Sequence, residues 1–519
     1  MPLWRRGGDT GFPIGTSANA KEVEFIHVQF ERDELSRTAA TATMKKLSRR
    51  SFLAASAAAV TAAPGLAAPN APAPGAPNAP GAPNAPGAPV SKRSAPPPSR
   101  PGPLDVVIVG AGAAGIAAAR RLSGSGLRVA LVEAGAAVGG RCVTDTSTFG
   151  VPFDRGAHWL HMPDINPVAK LGAQTGLDLY PAPPGQRMRI GRRYAREGEM
   201  ESYLSGMVRA STAIADASRR IDVSCAQALP KDLGDWRSTI EFVLGPFGCA
   251  KDLSEVSALD FAHSAERDVD LLCRQGFGAL LARLAGGLPV ELGNPATRIS
   301  FSYGARRGVD VDTKRGTLSA RAAIVTVSTN VLTSGKIKFD PDLPRRHLDA
   351  AAKLKLGSYD HIALELPDNP LALRADELVF EKSDGARTAA LFANVSGTPL
   401  SIVDVAGTFG RDLAAKGEDA MFDFAQSWLT GLFGVEIGKT VRRKYATRWN
   451  EEPWVLGAFS AAAPGAQGAR RVLMEPVGER IWFAGEAAHE TLWGTVGGAW
   501  ESGERAADAV AKSLGRRAG

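Results

Sequence analysis

The sequence predicts an α/β fold with a parallel sheet at its centre, on three observations. Leu104-Asp105-Val106-Val107-Ile108-Val109 is an apolar run of the kind that a strand buried on both faces requires. It leads into Gly110-Ala111-Gly112-Ala113-Ala114-Gly115 and a stretch of helical character from Ile116 to Leu122. A second strand, Arg128 to Val132, then ends on an acid, Glu133. Strand, glycine turn, helix, strand and terminal acid in this order describe a Rossmann-like dinucleotide-binding unit. Gly110, Gly112 and Gly115, with Ala114 among them, permit a tight turn, close approach of backbone to a pyrophosphate and close helix-to-strand packing, with the helix start facing the phosphates. Glu133 accepts hydrogen bonds from ribose hydroxyls, which disfavours a 2′-phosphate and so excludes NADP more readily than it separates NAD from FAD.

What precedes this unit reads differently. The chain has 519 residues, enough for two or three domains, and a formal net charge of +7. Residues 1–103 carry 12 Lys and Arg against 6 Asp and Glu, which leaves 49 against 48 for residues 104–519. The basic balance is therefore mostly N-terminal, and no nucleic-acid partner is expected. Residues 44–68 open with Met-Lys-Lys-Leu-Ser-Arg-Arg-Ser-Phe-Leu and continue in an alanine-rich, uncharged stretch. Ser48 to Leu53 resembles a twin-arginine signal, which implies engagement of the twin-arginine export machinery and a periplasmic or secreted protein. Residues 1–43 are read as an extension, with translation expected from Met44. Residues 69–103 hold 13 prolines and few large apolar side chains, the composition of a semi-rigid disordered linker. Cys142, Cys225, Cys249 and Cys273 show no close pairing, so neither a metal site nor a disulfide scaffold is expected, and one isolated disulfide is left open.

Further motifs narrow the cofactor. Glu133-Ala134-Gly135 leads to Val138-Gly139-Gly140-Arg141-Cys142 and then to Phe153-Asp154-Arg155-Gly156-Ala157-His158-Trp159-Leu160-His161. Far downstream, Arg480-Ile481-Trp482-Phe483-Ala484-Gly485-Glu486 is strand-like and ends on an acid, and Gly494-Thr495-Val496-Gly497-Gly498-Ala499 precedes a helix. Together these resemble the flavin-containing amine oxidase family. The resemblance implies non-covalent FAD held by Gly139, Gly140 and Arg141, by Gly156, Ala157, His158 and Trp159, by Thr297 through its backbone, and by Gly485, Glu486, Thr495 and Val496. The physics agrees: a guanidinium gives planar donors to a diphosphate, and a helix start stabilises negative charge on a reduced flavin. The acid of Glu486 would bind the ribityl chain.

The same resemblance implies the chemistry. An amine is oxidised to an imine by hydride transfer to flavin N5, hydrolysis gives a carbonyl with ammonia or an amine, and oxygen is reduced to hydrogen peroxide. Trp449 would pack near the ring. Phe459 falls where the family places one tyrosine of an aromatic pair, and Thr495 where the second stands, so the cage is expected to be incomplete, with Trp493 as a partial substitute and Trp454 as core. Ala458 replaces a flavin-bonding cysteine. His361 replaces a lysine that reaches flavin N5 through water, and its imidazole is expected to hold that water; His161 and His489 are further pocket-side candidates. Two alternatives follow from these departures: an amine dehydrogenase using a quinone or cytochrome acceptor, and a non-enzymatic flavin-binding protein. Residues 104–161, 271–330 and 449–519 are assigned to the FAD-binding domain, and 162–270 and 331–448 to an interleaved α+β substrate domain.

Overall fold

A computed structural model describes residues 104–265, 269–302, 308–466 and 468–517. The extension, the signal and the linker expected in residues 1–103 lie outside the described residues.

The apolar run Leu104–Val109 is the middle of an eight-stranded sheet, with Val106, Val107 and Ile108 wholly buried. It pairs in parallel with Val129–Val132 on one side and with the long strand Gly316–Val325 on the other. Val290–Glu291 extends the sheet beyond Val129–Val132. On the opposite side come Val309–Thr313, antiparallel to both its neighbours, then Ala296–Phe301, and at the edge Lys338–Asp340, which pairs with Ala296–Phe301 in parallel. Besides Leu104–Val109, Gly316–Val325 has two further partners on its other side: its first half pairs with Val309–Thr313, and Ala323–Val325 pairs in parallel with Ile481–Phe483.

Helix Ala113–Ser123 joins the first two strands, and the helix Val496–Ser513 lies against it. That contact needs glycine, because a Cβ on Gly503 would sit 2.1 Å from the Ala114 carbonyl oxygen. Residues widely separated in sequence thus form one layer.

One expected boundary moves. Residues 331–354 were assigned to the substrate domain, yet Lys338–Asp340 pairs with Arg298 to Ser300, and the helix Arg345–Lys353 buries Ala350 and Ala351 in the core of the first sheet. The apolar face of this short amphipathic helix has its partner there, which local composition does not reveal.

A second sheet of seven strands runs in the order Lys444–Ala446, Tyr359–Glu365, Leu400–Ala406, Ala390–Ala393, Glu377–Glu381, Arg187–Ile190, Arg193–Tyr194. Strand alternation gives it two apolar faces. Leu378 and Phe380 face a helical layer that includes Glu197–Ser218 and Arg237–Phe242, while Val379, Leu391 and Val403 face the helix Glu418–Phe433. All four cysteines are buried and free, so the disulfide left open by the sequence does not form. Among the described residues, no helix is long and apolar enough to cross a membrane.

Candidate active site

A cavity of about 1040 Å³ runs between these layers. At one end it begins where Leu104–Val109 meets its helix. Gly110 has φ +103°, and a Cβ on Gly115 would lie 1.8 Å from the Gly110 carbonyl oxygen, so Gly115 secures the helix-to-strand contact and does not line the cavity. A Cβ on Gly112 would meet only the backbone of Gly139 and Gly140, at 3.9 Å, and Gly112 starts the helix without a side-chain cap, leaving first-turn N–H groups for a ligand. Gly110, Gly112 and Ala114 all line the cavity. Glu133 lines it too, held by the N–H groups of Ala111 (2.6 Å, to Oε2) and Gly135 (2.7 Å, to Oε1).

Gly139 and Gly140 continue the wall, both at positive φ, with a Cβ on Gly140 only 3.3 Å from the Gly112 Cα. Arg141 spends one terminal nitrogen on the Ala458 carbonyl (2.7 Å) and on Glu486 (2.9 Å), and its side chain also lines the cavity. Glu486 is buried and receives further donors from Ser460 and Gly494. Burial pushes its carboxyl up, but Arg141, Arg470 and Ser460 outweigh that and hold it below its ordinary range. Gly485, Thr495 and Val496 complete this stretch.

These features fit FAD. A cradle that side chains would fill, an uncapped helix start, a carboxylate facing the first turn and a second helix start lie along one continuous cavity. Thr297 is the exception: its hydroxyl donates to the Asp312 carbonyl on the neighbouring strand and it does not line the cavity, whereas Pro295 and Ala296 do. At this strand end, the expected contact falls one or two residues earlier in the chain.

The other end of the cavity is aromatic. Trp449 donates from Nε1 to the Arg155 carbonyl (2.9 Å), and its ring packs where a side chain on Gly156 would stand. Ala157, His158, Trp159 and Phe459 share this wall. The ring of Tyr359 lies 6.1 Å from that of Phe459. Sequence reasoning missed Tyr359, although strand periodicity puts it on the same face as His361. Tyr359 thus adds an aromatic ring to this wall from the second sheet.

Thr495 is a helix cap and not a substrate-facing group: its hydroxyl accepts from the Gly498 N–H (2.9 Å) and donates to the Leu492 carbonyl (2.7 Å). Trp493 is packed in a core cluster and reaches the cavity only along its wall. Trp454, expected as core, is 42% exposed at the cavity edge. His489 accepts N–H groups from its own loop, bonds Glu501 and does not line the cavity; His161 lines it and pairs with Asp270 at 2.6 Å.

His361 departs most from expectation. It is buried, with Nδ1 2.5 Å from Asp404 Oδ1 and Nε2 2.9 Å from the Gly156 carbonyl oxygen. Tyr359 donates to the other Asp404 oxygen at 3.0 Å. Burial lowers the imidazole's affinity for a proton, but the Asp404 charge and hydrogen bond, helped by Gly156 and Asp360, raise it above its ordinary value. With both nitrogens engaged by protein partners, the ring has no free lone pair with which to hold a water as the sequence led one to expect. Behind it, burial lifts Asp360 to about 6 despite donors from Trp449 and Thr447.

Comparison with known proteins agrees with this geometry. Residues 113–511 match the family model of the flavin-containing amine oxidoreductases. Polyamine oxidase 4 of Oryza sativa is 28% identical over 472 residues, covering 84% of this chain and 93% of that protein. Lysine-specific histone demethylase 2 of Homo sapiens is 28% identical over 443 residues, covering 78% of this chain but only 53% of that larger protein. Cyclohexylamine oxidase from Brevibacterium oxydans shares the fold, with a TM-score of 0.67 at 21% identity over 80% of this chain and 100% of that one. The chain belongs to the flavin-containing amine oxidoreductases, enzymes whose cofactor is FAD.

Proposed function

We propose that this enzyme oxidises a small-molecule amine at its C–N bond to an imine, which water hydrolyses to a carbonyl compound and ammonia or an amine. The observation that carries the reading is the single cavity joining the Glu133 and Gly112 end to the aromatic end at Tyr359, Phe459 and Trp449. Bound FAD supplies the two-electron acceptor, with oxygen as final oxidant and hydrogen peroxide as its product.

The chain's own residues do the rest. First-turn N–H groups and Arg141 receive the diphosphate, Glu133 the ribose and Glu486 the ribityl chain. Phe459, Tyr359 and Trp449 exclude water and orient the amine through their faces. Burial in this aromatic wall penalises an ammonium ion, so the uncharged amine binds preferentially. The purified protein should be yellow, and benzylamine, cyclohexylamine or putrescine should bleach its visible band anaerobically without pyridine nucleotide. A flavin that no amine bleaches would overturn the reading.

A second reading, an amine dehydrogenase passing electrons to a quinone or cytochrome, is favoured by His361, whose nitrogens are both committed to protein acceptors. Peroxide formed at the turnover rate decides against it. We also propose export by the twin-arginine route, on Ser48 to Leu53. Replacing Arg49 and Arg50 together by lysine should leave the protein in the cytoplasmic fraction; unchanged export would refute the assignment.

A further inference from the structure

The helical layer on the second sheet contributes a wall of the cavity that carries no charge. Among the described residues from 162 to 265, those lining the cavity come from the helix Glu197–Ser218, from the π-helical turn Val243–Phe247 with the two residues after it, and from the helix Ala258–His263 with the two residues that follow. None of them is Asp, Glu, Lys, Arg or His. Ser211 and Ala215, one helical turn apart, share this wall with Phe247 and Ala262, and all four are half-buried. Hydroxyls are withdrawn from it: that of Ser211 is buried away from the cavity, that of Ser264 donates to the Phe261 carbonyl at 2.8 Å, and Thr212 stands at the exposed rim. The wall adjoins the aromatic end, because the ring of Phe247 lies 6.0 Å from that of Tyr359. Charged groups lining the cavity come from other segments and have their own places. Glu133 lies at the nucleotide end, Arg141 bonds Glu486, Arg155 pairs with Asp145 at 2.5 Å, and Arg448 bonds Glu451. Lys336 and Glu452 are exposed, the former 5.9 Å over the Trp454 ring.

We propose that this wall receives the carbon skeleton of the substrate and selects a monoamine bearing an alkyl or arylalkyl group against diamines and polyamines. The inference rests on the amine-oxidising reading above and names its substrate class. With the reacting amine at the aromatic end, the rest of the molecule lies along Phe247, Ser211, Ala215 and Ala262. Each methylene taken out of water there favours binding by about fourfold. A second ammonium in the same place loses its hydration and meets no carboxylate on this wall. It enters only uncharged, and at pH 7.5 roughly one alkylamine group in 1000 is uncharged.

The test follows anaerobic bleaching of the holoenzyme's flavin by propylamine, butylamine, pentylamine and hexylamine, and by putrescine and 1,6-diaminohexane. Each amine gives a limiting rate and a half-saturating concentration. Half-saturation should tighten by about fourfold per methylene along the monoamines. At pH 7.5 hexylamine should half-saturate at a concentration about 100-fold or more below that of 1,6-diaminohexane, with limiting rates within about threefold of each other. The gap should narrow by about tenfold or more at pH 9.5, where about a tenth of the remote amino groups are uncharged. Ala215→Asp should shrink it by about tenfold at pH 7.5, because the remote ammonium gains a partner; Ala262→Asp gives the same comparison if that variant does not fold. Half-saturation that is flat along the monoamines, a diamine that matches hexylamine at pH 7.5, or a gap that neither carboxylate moves overturns the inference. Flavin that no monoamine and no diamine bleaches overturns the parent reading. Bleaching by putrescine in preference to butylamine sinks this inference alone.

Discussion

Replacing Asp404 by asparagine should lower the melting temperature by an amount that depends on pH. The carboxylate is buried, with one oxygen on His361 and the other accepting from Tyr359. Deleting one member of a buried ion pair costs about 3–5 kcal/mol when the other keeps its charge. Here the imidazolium can lose its proton and the amide still reaches both neighbours, so about 3 kcal/mol is expected at pH 6–7. With roughly 400 folded residues and about 2.1 cal/mol/K of unfolding entropy per residue, this lowers Tm by about 3–4 °C.

The sign of the pH dependence follows from His361. Its pKa is raised in the folded protein, so its contribution is complete below the unfolded value of 6.5 and is lost as pH rises through the folded value. The variant should therefore differ most from wild type at pH 6–7 and converge with it in alkali. Other groups bend both curves alike. Asp360, lifted by burial to about 6, removes stability as pH rises from 3.8 to that value. Lys251, lowered by burial to about 8, adds stability from there towards 10.5. Both remain in the variant and largely cancel in the difference. The assay is the temperature at which holoenzyme releases fluorescent flavin, measured from pH 6 to 10. A gap that stays constant across that range would refute the reasoning.

Gly115→Ala should give no soluble yellow protein, because its Cβ meets the Gly110 carbonyl at 1.8 Å; Gly198→Ala, with nothing within 4 Å, should keep a normal flavin-to-protein absorbance ratio. Glu133→Ala should raise the FAD dissociation constant by about 10- to 100-fold in titrations of apoprotein, since it removes the acceptor of two N–H groups and, on the proposed reading, of the ribose. Tyr359→Phe keeps the ring beside Phe459 and should leave kcat/KM within about threefold at a cost of about 1 kcal/mol in stability, whereas Tyr359→Ala should reduce kcat/KM by about tenfold or more. The four buried thiols should resist an aromatic disulfide reagent in the native protein and titrate fully only after denaturation.

What could be read in advance was mostly local. Gly110, Gly112, Gly115 and Glu133 sit within one strand–helix–strand unit, so spacing alone carries their geometry. Glu486 was legible because Phe483-Ala484-Gly485-Glu486 again couples a buried strand to a glycine and an acid. The aromatic end depends on tertiary pairing: Tyr359 meets Phe459 only because the second sheet packs beside the Ala458–Ser460 segment. Thr495 looked like a substituted cage residue because its alignment position is visible in sequence, while its hydrogen bonds to Leu492 and Gly498 are not. The same holds for His361, whose residue type suggested a water-holding base and whose partners, Asp404 and Gly156, lie 43 and 205 residues away. Trp454 shows the converse, a large apolar side chain whose composition suggests burial but whose place at the cavity edge leaves it exposed.

The contact of Gly503 with Ala114 carries a consequence for biogenesis. The first glycine turn of the cofactor end is braced by a helix made almost 400 residues later, and Thr495 and Val496 at the start of that helix wall the same cavity. During synthesis the nucleotide end therefore has no finished wall until the last helix has emerged, however early Leu104–Val109 and Ala113–Ser123 have paired. Capture of FAD becomes a late event that locks the two ends of the layer together, and its binding free energy adds to the stability of the whole sheet. A ribosome-stalled chain lacking Val496–Ser513 would be expected to remain colourless.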